Sequence, residues 1–240
     1  MTAPRPPVPP WQRTPRARAA ARTPLSQDAI VDAALKILDR EGLSAMSMRR
    51  VAQELGTGPS SLYAHVTNLG ELEDLIFDRV AGELELPTPD PARWQEQLHD
   101  LLFDAIELMR RHPGVARLGF GRIPTRENAM RMSETILGLV HAGGVPEQYA
   151  AWSVDTLGLF VTAAAYEEYV QAEEGQTEEN MRGWFDEFHR YLQSLPVEQY
   201  PNIVQAAPFM VQGSGDERLH FGLSMLIGGL AATARPRSRP

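Results

Sequence analysis

The chain has 240 residues and is 43% hydrophobic, enough for one large globular unit or two smaller ones with buried cores. It contains no cysteine, which excludes disulfides, thiolate metal sites and cysteine nucleophiles. No apolar run reaches the roughly 20 residues that span a bilayer, and the N-terminus lacks the apolar segment of a signal peptide. We therefore expect a cytoplasmic protein that does not enter a membrane.

The formal net charge of −8 is unevenly distributed along the chain. Residues 1–68 contain nine lysines and arginines against five acidic residues, whereas residues 69–240 contain fourteen against twenty-six. A basic N-terminal part followed by an acidic part is typical of a protein that binds DNA phosphates with one end only, because the acidic part is repelled by DNA.

Residues 1–24 are rich in proline, arginine and alanine, and the prolines prevent a regular helix. Five arginines precede the first acidic residue, Asp28. We expect a disordered basic arm that contacts phosphates or the minor groove. A solvated tail without a specific role is the alternative.

The first two helices of the unit at 25–86 have clear start signals. Ser26 is a suitable N-cap for the first helix, whose apolar residues recur on one face until Gly42 ends it. Ser47 caps a second helix in the same way, with Met46 and Val51 as a hydrophobic staple.

A short turn at 56–58, rich in glycine, separates the second helix from a third. Pro59 suits the first position of that third helix, where its missing N–H costs nothing. Asn68 and Glu71 resemble a capping box that begins a fourth helix, expected to run to about Leu86.

Two short helices joined by a three-residue turn and packed on a first helix predict a helix-turn-helix. Four apolar residues are expected to fix the crossing angle: Val51, Leu55, Leu62 and Val66. The outward surface of the third helix, which can then enter a major groove, is formed by Ser60, Ser61, Ala64 and His65, with Tyr63 at its edge. Arg49, early in the second helix, can reach a guanine or a phosphate.

Three prolines with polar residues between them at 87–91 mark a boundary, and residues 90–234 predict a second, larger helical domain. Its expected helices are 92–111, 126–142, 146–173, 177–195 and 216–233, with 196–215 left unassigned. No alternating strand pattern occurs, so the fold class is all-α.

The segments 47–56 and 61–66 resemble the signature of the tetracycline-repressor family, and the similarity continues upstream through 29–43 and downstream to Leu75. The resemblance implies a DNA-binding regulator whose third helix reads bases. By this resemblance, base contacts fall on Arg49, Pro59, Ser60 and Ala64. Phosphate contacts fall on Ser47, Ser61, Tyr63 and His65.

The start of the fourth helix departs from the family pattern. Family members usually carry a phosphate-binding lysine there, whereas residues 68–71 read Asn-Leu-Gly-Glu. We expect the arginine-rich arm to take over that contact.

The regions around Trp94, 118–124 and 221–230 resemble the tetracycline-repressor type of C-terminal domain. That type implies a homodimer on a palindromic operator, with two long helices from each subunit forming a four-helix bundle. The expected pair is 146–173 and 216–233. The last helix carries a wide apolar band that needs more than one partner helix: Leu219, Leu223, Leu226 and Leu230, with Phe221 and Met225 beside them.

The resemblance also implies an effector pocket between the first helices of this domain. Its candidate lining is mostly apolar, which favours a largely apolar small-molecule effector: Leu101, Ala105, Met109, Phe120, Met132, Thr135 and Trp152. Ordinary core packing is the alternative for each. Residues 118–120 contain no histidine before 121–124, so we do not expect magnesium–tetracycline binding, a metal or a cofactor.

Three other interpretations stay open. Glu96 with His99 and Glu217 with His220 match the motifs of a di-iron carboxylate enzyme, although other nucleotide-binding and hydrolase motifs are absent and we expect no enzyme. A helical adaptor that has lost DNA binding is the second. An activator of the same family is the third.

Overall fold

The computed structural model describes residues 25–121, 123, 125–175 and 178–234. Within these ranges the secondary structure is helical, and the all-α prediction is confirmed. The predicted basic arm at 1–24 lies outside the described residues. The N-terminal elements are α1 (Gln27–Glu41), a 3₁₀ turn (Leu43–Ala45), α2 (Met48–Glu54), α3 (Pro59–Leu62) and α4 (Leu69–Ala81).

The predicted serine caps are confirmed. The Ser26 hydroxyl accepts a hydrogen bond from the Ala29 N–H at 3.1 Å, and the Ser47 hydroxyl accepts one from the Arg50 N–H at 3.2 Å. Each satisfies one of the backbone donors that a helix leaves free at its first turn. Gly42 follows α1 with a φ of +79°, a conformation that a side chain would strain.

Only half of the capping box predicted for α4 forms. The Asn68 side chain accepts from the Glu71 N–H at 2.9 Å, but the Glu71 carboxylate accepts from the Thr67 N–H at 2.7 Å and not from Asn68. The expected end at Leu86 was also wrong. The helix stops at Ala81, and the chain continues without regular helix to α5.

The later helices are α5 (Trp94–Arg111), α6 (Val115–Gly119), α7 (Glu127–Ala142), α8 (Glu147–Glu173), α9 (Glu178–Gln193), α10 (Pro201–Met210) and α11 (Gly215–Thr233). The five predicted long helices are observed with ends shifted by at most two residues. Helix α6 was not predicted from the sequence, and α10 lies in the region 196–215, for which no element was predicted. None of the described helices is long and apolar enough to cross a membrane.

Helix α5 is the centre of the larger bundle and packs against α7, α8 and α11. Its residues Leu98, Leu102 and Ile106 are completely buried, as expected for a helix surrounded by several others. Helices α9 and α10 pack on each other as a hairpin.

Arg110, near the end of α5, joins three helices. Its guanidinium donates to Glu168 on α8 at 2.6 Å, to Asp216 on α11 at 2.8 Å and to Glu107 one turn earlier. The hydrogen bonds that Arg110 donates to Glu168 are the main cause of the raised pKa of Arg110. The group therefore stays charged and holds α8 and α11 against α5.

Helix α4 connects the N-terminal helices to the larger bundle by packing on α6 and α7. A methyl group on Gly119 would come within 2.8 Å of the Phe77 Cζ, so the α4–α6 contact depends on the missing side chain. The Asp78 carboxylate accepts from the Ala129 N–H at 3.0 Å and thereby caps α7, while the Asn128 amide donates to the Asp78 carbonyl at 3.0 Å.

His112 joins the same two parts of the molecule at a second place. It follows α5, and its Nδ1 lies 3.0 Å from a carboxylate oxygen of Asp39 on α1. Its Nε2 lies 3.6 Å from Glu83, just after α4. The N-terminal helices are thus attached to the bundle through both α4 and the end of α5.

Candidate DNA-binding surface and effector region

One face of the N-terminal helices exposes the residues predicted to contact DNA. The structure places seven of them in solvent and Ser47 half-buried at the start of α2. The exposed seven are Arg49, Pro59, Ser60, Ser61, Tyr63, Ala64 and His65. Their contact with DNA stays a prediction. The structure places Arg49 on α2 and the other six on α3 or directly after it.

The short α3 is held rigidly from beneath. Leu62 is completely buried and Val66 almost so, although Val66 lies beyond the end of α3. The Gln27 amide of α1 donates to the His65 carbonyl at 3.1 Å and ties down the end of this segment. Leu55, expected to be fully inward, is partly exposed.

Arg49 and its neighbour Arg50 have opposite environments. Arg50 pairs with Glu41 at 2.6 Å and with Glu54 at 2.9 Å, and its hydrogen bonds hold the pKa of both carboxyl groups below their ordinary value. Among the described residues Arg49 has no ion pair, so its charge is available to a phosphate or a base. This difference supports the choice of Arg49 made from the sequence.

The start of α4 offers no positive charge to DNA. Asn68 uses its side chain as the N-cap, and Glu71 accepts hydrogen bonds from both the hydroxyl and the N–H of Thr67. Those bonds lower the pKa of Glu71, which therefore remains an anion at neutral pH. Residues 68–71 therefore contain no replacement for the phosphate-binding lysine that family members usually carry there.

The residues predicted to bind an effector fall into separate groups. Leu101, Ala105 and Met109 lie buried on one face of α5. Met132 and Thr135 lie half-buried on α7, where the Thr135 hydroxyl donates to the Arg131 carbonyl at 3.0 Å.

Phe120 and Trp152 are exposed, and Trp152 differs most from expectation. It is 60% exposed and lies in a groove of about 240 Å³ between α8 and α11. None of the other six predicted effector residues lines this groove. Its lining besides Trp152 consists of Tyr149, Ser153, Thr156, Leu157, Leu226, Gly229 and Leu230. Trp152 therefore belongs to an outer face of the bundle.

A row of stacked aromatic rings was missed from the sequence. Phe120, just after α6, stacks on Tyr166 of α8 with ring centroids 5.6 Å apart, and Tyr166 stacks on Tyr169 at 6.3 Å. Burial raises the pKa of Tyr169, which keeps its hydroxyl protonated. The three-residue spacing of the two tyrosines, one side of a helix, was the signal that could have identified this row.

A second recess of about 370 Å³ lies between the N-terminal helices and α6. It is lined by Leu43, Ser44, Met46, Leu69, Glu73, Arg117 and Leu118. Its position shows that the two parts of the molecule touch without filling the space between them.

Comparison with known proteins agrees with this architecture. Residues 30–68 match the model of bacterial regulatory proteins of the tetR family, and residues 86–234 match the tetracyclin repressor-like C-terminal domain. The HTH-type transcriptional repressor DrrR1 of Streptomyces coeruleorubidus is 29% identical over 232 residues, 95% of this chain and 85% of the relative. An HTH-type transcriptional regulator of Saccharopolyspora erythraea is 30% identical over 226 residues, 93% of this chain and 92% of the relative.

Solved structures are also similar over nearly the whole length. ActR from Streptomyces coelicolor in complex with actinorhodin has a TM-score of 0.81 and 43% identity, covering 88% of this chain and 97% of ActR. Apo ActR has a TM-score of 0.80 and 42% identity, covering 89% and 98%. The chain therefore belongs to the tetracycline-repressor family and is a ligand-responsive, DNA-binding transcriptional repressor.

Proposed function

We propose that the chain represses transcription as a homodimer bound to a palindromic operator, and that a small, flat aromatic effector releases it. The observation that carries the DNA-binding part is the polar surface of α3, held on the buried Leu62. We assign DNA binding to residues 25–86 and effector binding and dimerisation to residues 90–234. Such a repressor works in the cytoplasm, where its operator is.

Arg49→Ala is the direct test of the DNA surface. Because Arg49 is exposed and has no ion pair among the described residues, the variant should fold normally. Operator affinity should fall by about 1–3 kcal/mol, the value of one good arginine contact to a base. Fluorescence anisotropy with operator DNA measures this. Arg131→Ala, an exposed arginine on α7, is the control and should bind like wild type. If wild type, Arg49→Ala and Arg131→Ala bind the operator with equal affinity, the assignment of Arg49 to the DNA-binding surface is wrong.

The proposal of a homodimer rests on two exposed faces. Helix α8 exposes Tyr149, Trp152 and Leu159, while α11 exposes Phe221 and Met225. Apolar surface of this kind favours a protein partner over water. A palindromic operator needs a reader with twofold symmetry, which a second copy of the chain provides.

Met225→Asp should convert the dimer to a monomer. Met225 is 61% exposed in the single chain, so the charge would be tolerated in the monomer but desolvated in the dimer. A charge at Leu226 would be a poorer test, because Leu226 is half-buried in the α8–α11 groove and the charge would disturb folding as well as association. Sedimentation velocity should show the lower mass, with operator affinity lost in parallel.

Met130→Asp is the matched control, since Met130 is 52% exposed but lies on α7. It should remain dimeric. A Met225→Asp protein that is still dimeric would contradict the assignment of α11 to the interface.

The effector class is supported by the aromatic row and by one relative. Phe120, Tyr166 and Tyr169 present stacked rings, which suit a planar aromatic molecule. The similar ActR has been solved in complex with actinorhodin. We therefore propose a polycyclic aromatic effector for this chain as well.

Tyr166→Ala should weaken the binding of actinorhodin, used as a probe, by about 2- to 13-fold, since a lost aromatic contact is worth about 0.5–1.5 kcal/mol. Quenching of tryptophan fluorescence measures the affinity. Operator affinity without actinorhodin should not change. Tyr200→Ala, an exposed tyrosine before α10, is the control. If both variants bind actinorhodin like wild type, the aromatic row does not contact the effector.

The di-iron alternative is disfavoured by the position of its glutamates. Glu96 pairs with Arg93 at 2.8 Å, and Glu217 accepts from the Ser214 N–H at 2.7 Å. Neither carboxylate approaches the two histidines as a bridging ligand. Stoichiometric iron in the purified protein would reverse this conclusion.

A further inference from the structure

The two histidines of those motifs meet, although their glutamates do not. His220 on α11 has its Nδ1 at 3.0 Å from Nε2 of His99 on α5, and the two rings are nearly parallel, with centroids 5.0 Å apart. Phe103 stacks on His220 at 4.5 Å. Two helices distant in sequence thus hold a pair of imidazole nitrogens side by side.

We propose that His99 and His220 form a surface chelate for a divalent transition-metal ion such as Cu²⁺ or Ni²⁺. Imidazole nitrogens bind metals at about 2.0–2.1 Å, so two of them at a right angle around one ion are about 3 Å apart. The observed separation of 3.0 Å already matches this requirement. Because the two nitrogens point at each other without metal, the rings would have to turn, chiefly that of the exposed His220, until both lone pairs converge on one ion beside the line that joins them.

The surroundings of His99 prepare it as a ligand. A carboxylate oxygen of Asp100 lies 3.5 Å from its Nδ1, which favours the proton on that nitrogen and leaves the lone pair of Nε2 towards His220. Without metal, His220 donates from Nδ1. When an ion binds, that proton passes to solvent and Nε2 of His220 takes one up, so both rings stay neutral.

The type of ion follows from the ligand set. No group of three or more histidines, aspartates and glutamates suited to a metal occurs in the described part of the chain, so water would complete the coordination. Two imidazoles with water suit tetragonal Cu²⁺ or Ni²⁺ and not the hard Mg²⁺. The side chain of His99 is 23% exposed and His220 is exposed, so an ion can enter from solvent.

Bound metal would link α5 to α11, the helix that carries Phe221 and Met225. The site is therefore expected to raise thermal stability and to stiffen the proposed dimer face. The metal site does not depend on the proposed function, because its binding is measured without DNA or effector.

The test uses the full chain without a histidine tag, titrated with CuCl₂ or NiCl₂ by calorimetry, with electron paramagnetic resonance of the Cu²⁺ form. We expect one ion per chain, two nitrogen ligands in the spectrum and a higher melting temperature with Ni²⁺. His220→Gln, at an exposed position that folding should tolerate, should weaken binding by about 10-fold or more, as should His99→Gln.

His141→Gln is the control, because His141 is exposed and its partner among the described residues is Glu147, at 3.1 Å. It should bind like wild type. If wild type binds no more tightly than His220→Gln, or if His141→Gln loses as much affinity, the pair is only a hydrogen bond between helices.

Discussion

Leu62→Ala is expected to abolish operator binding although Leu62 reaches no DNA. Its side chain is 0% exposed and supports α3 from below. Truncating a buried leucine to alanine lowers the free energy of unfolding by about 2–5 kcal/mol, because apolar contacts are lost and a cavity remains. The loss falls on a four-residue helix that has no other side chain in the core, because Pro59, Ser60 and Ser61 all face solvent.

Thermal unfolding and operator anisotropy together check this expectation. Met130→Ala is the matched control, since Met130 on α7 is 52% exposed, lies outside the proposed dimer faces and leaves no cavity when truncated. Operator binding should survive in the control. A Leu62→Ala protein with unchanged operator affinity would mean that α3 is positioned by its flanking turns alone.

Gly119→Ala is expected to disturb the communication between effector and operator. The added methyl would overlap the Phe77 ring of α4, and overpacking of this kind costs about 1–3 kcal/mol. Because Phe77 packs against the shared core, the strain should displace α4 relative to α6. Actinorhodin should still bind, but the concentration that releases operator DNA should shift.

The double variant Gly119→Ala with Phe77→Ala provides the control, because removing the ring makes room for the methyl. It should release the operator at a concentration closer to that of wild type than either single variant does. Additive effects of the two changes would show that Gly119 and Phe77 do not act through their contact.

Features set by neighbouring residues were predictable from the sequence. The caps at Ser26 and Ser47 need only a hydroxyl and a backbone N–H three residues later. The long helices were recognisable from their apolar periodicity. The resemblance to the family added the residues of the recognition surface, which spacing alone could not assign.

Features set by distant contacts were not predictable. Helix α8 is apolar on most sides, so periodicity could not reveal that Trp152 faces outward. The meeting of His99 and His220 joins residues 121 positions apart, and no local pattern indicates it. The Glu71 carboxylate was expected to accept a hydrogen bond from the Asn68 N–H. It accepts from Thr67 instead, which offers both an N–H and a hydroxyl.

The ion pairs of Arg110 bear on how far apart two recognition helices stand. Glu168 and Asp216 lie on the two helices assigned to the twofold interface, and one guanidinium pairs with both and so restrains the angle between these helices. In a symmetric dimer, any change in that angle is doubled at the DNA. In the homodimer proposed above, the spacing of the operator half-sites would thus depend in part on Arg110, a side chain that pairs within its own subunit.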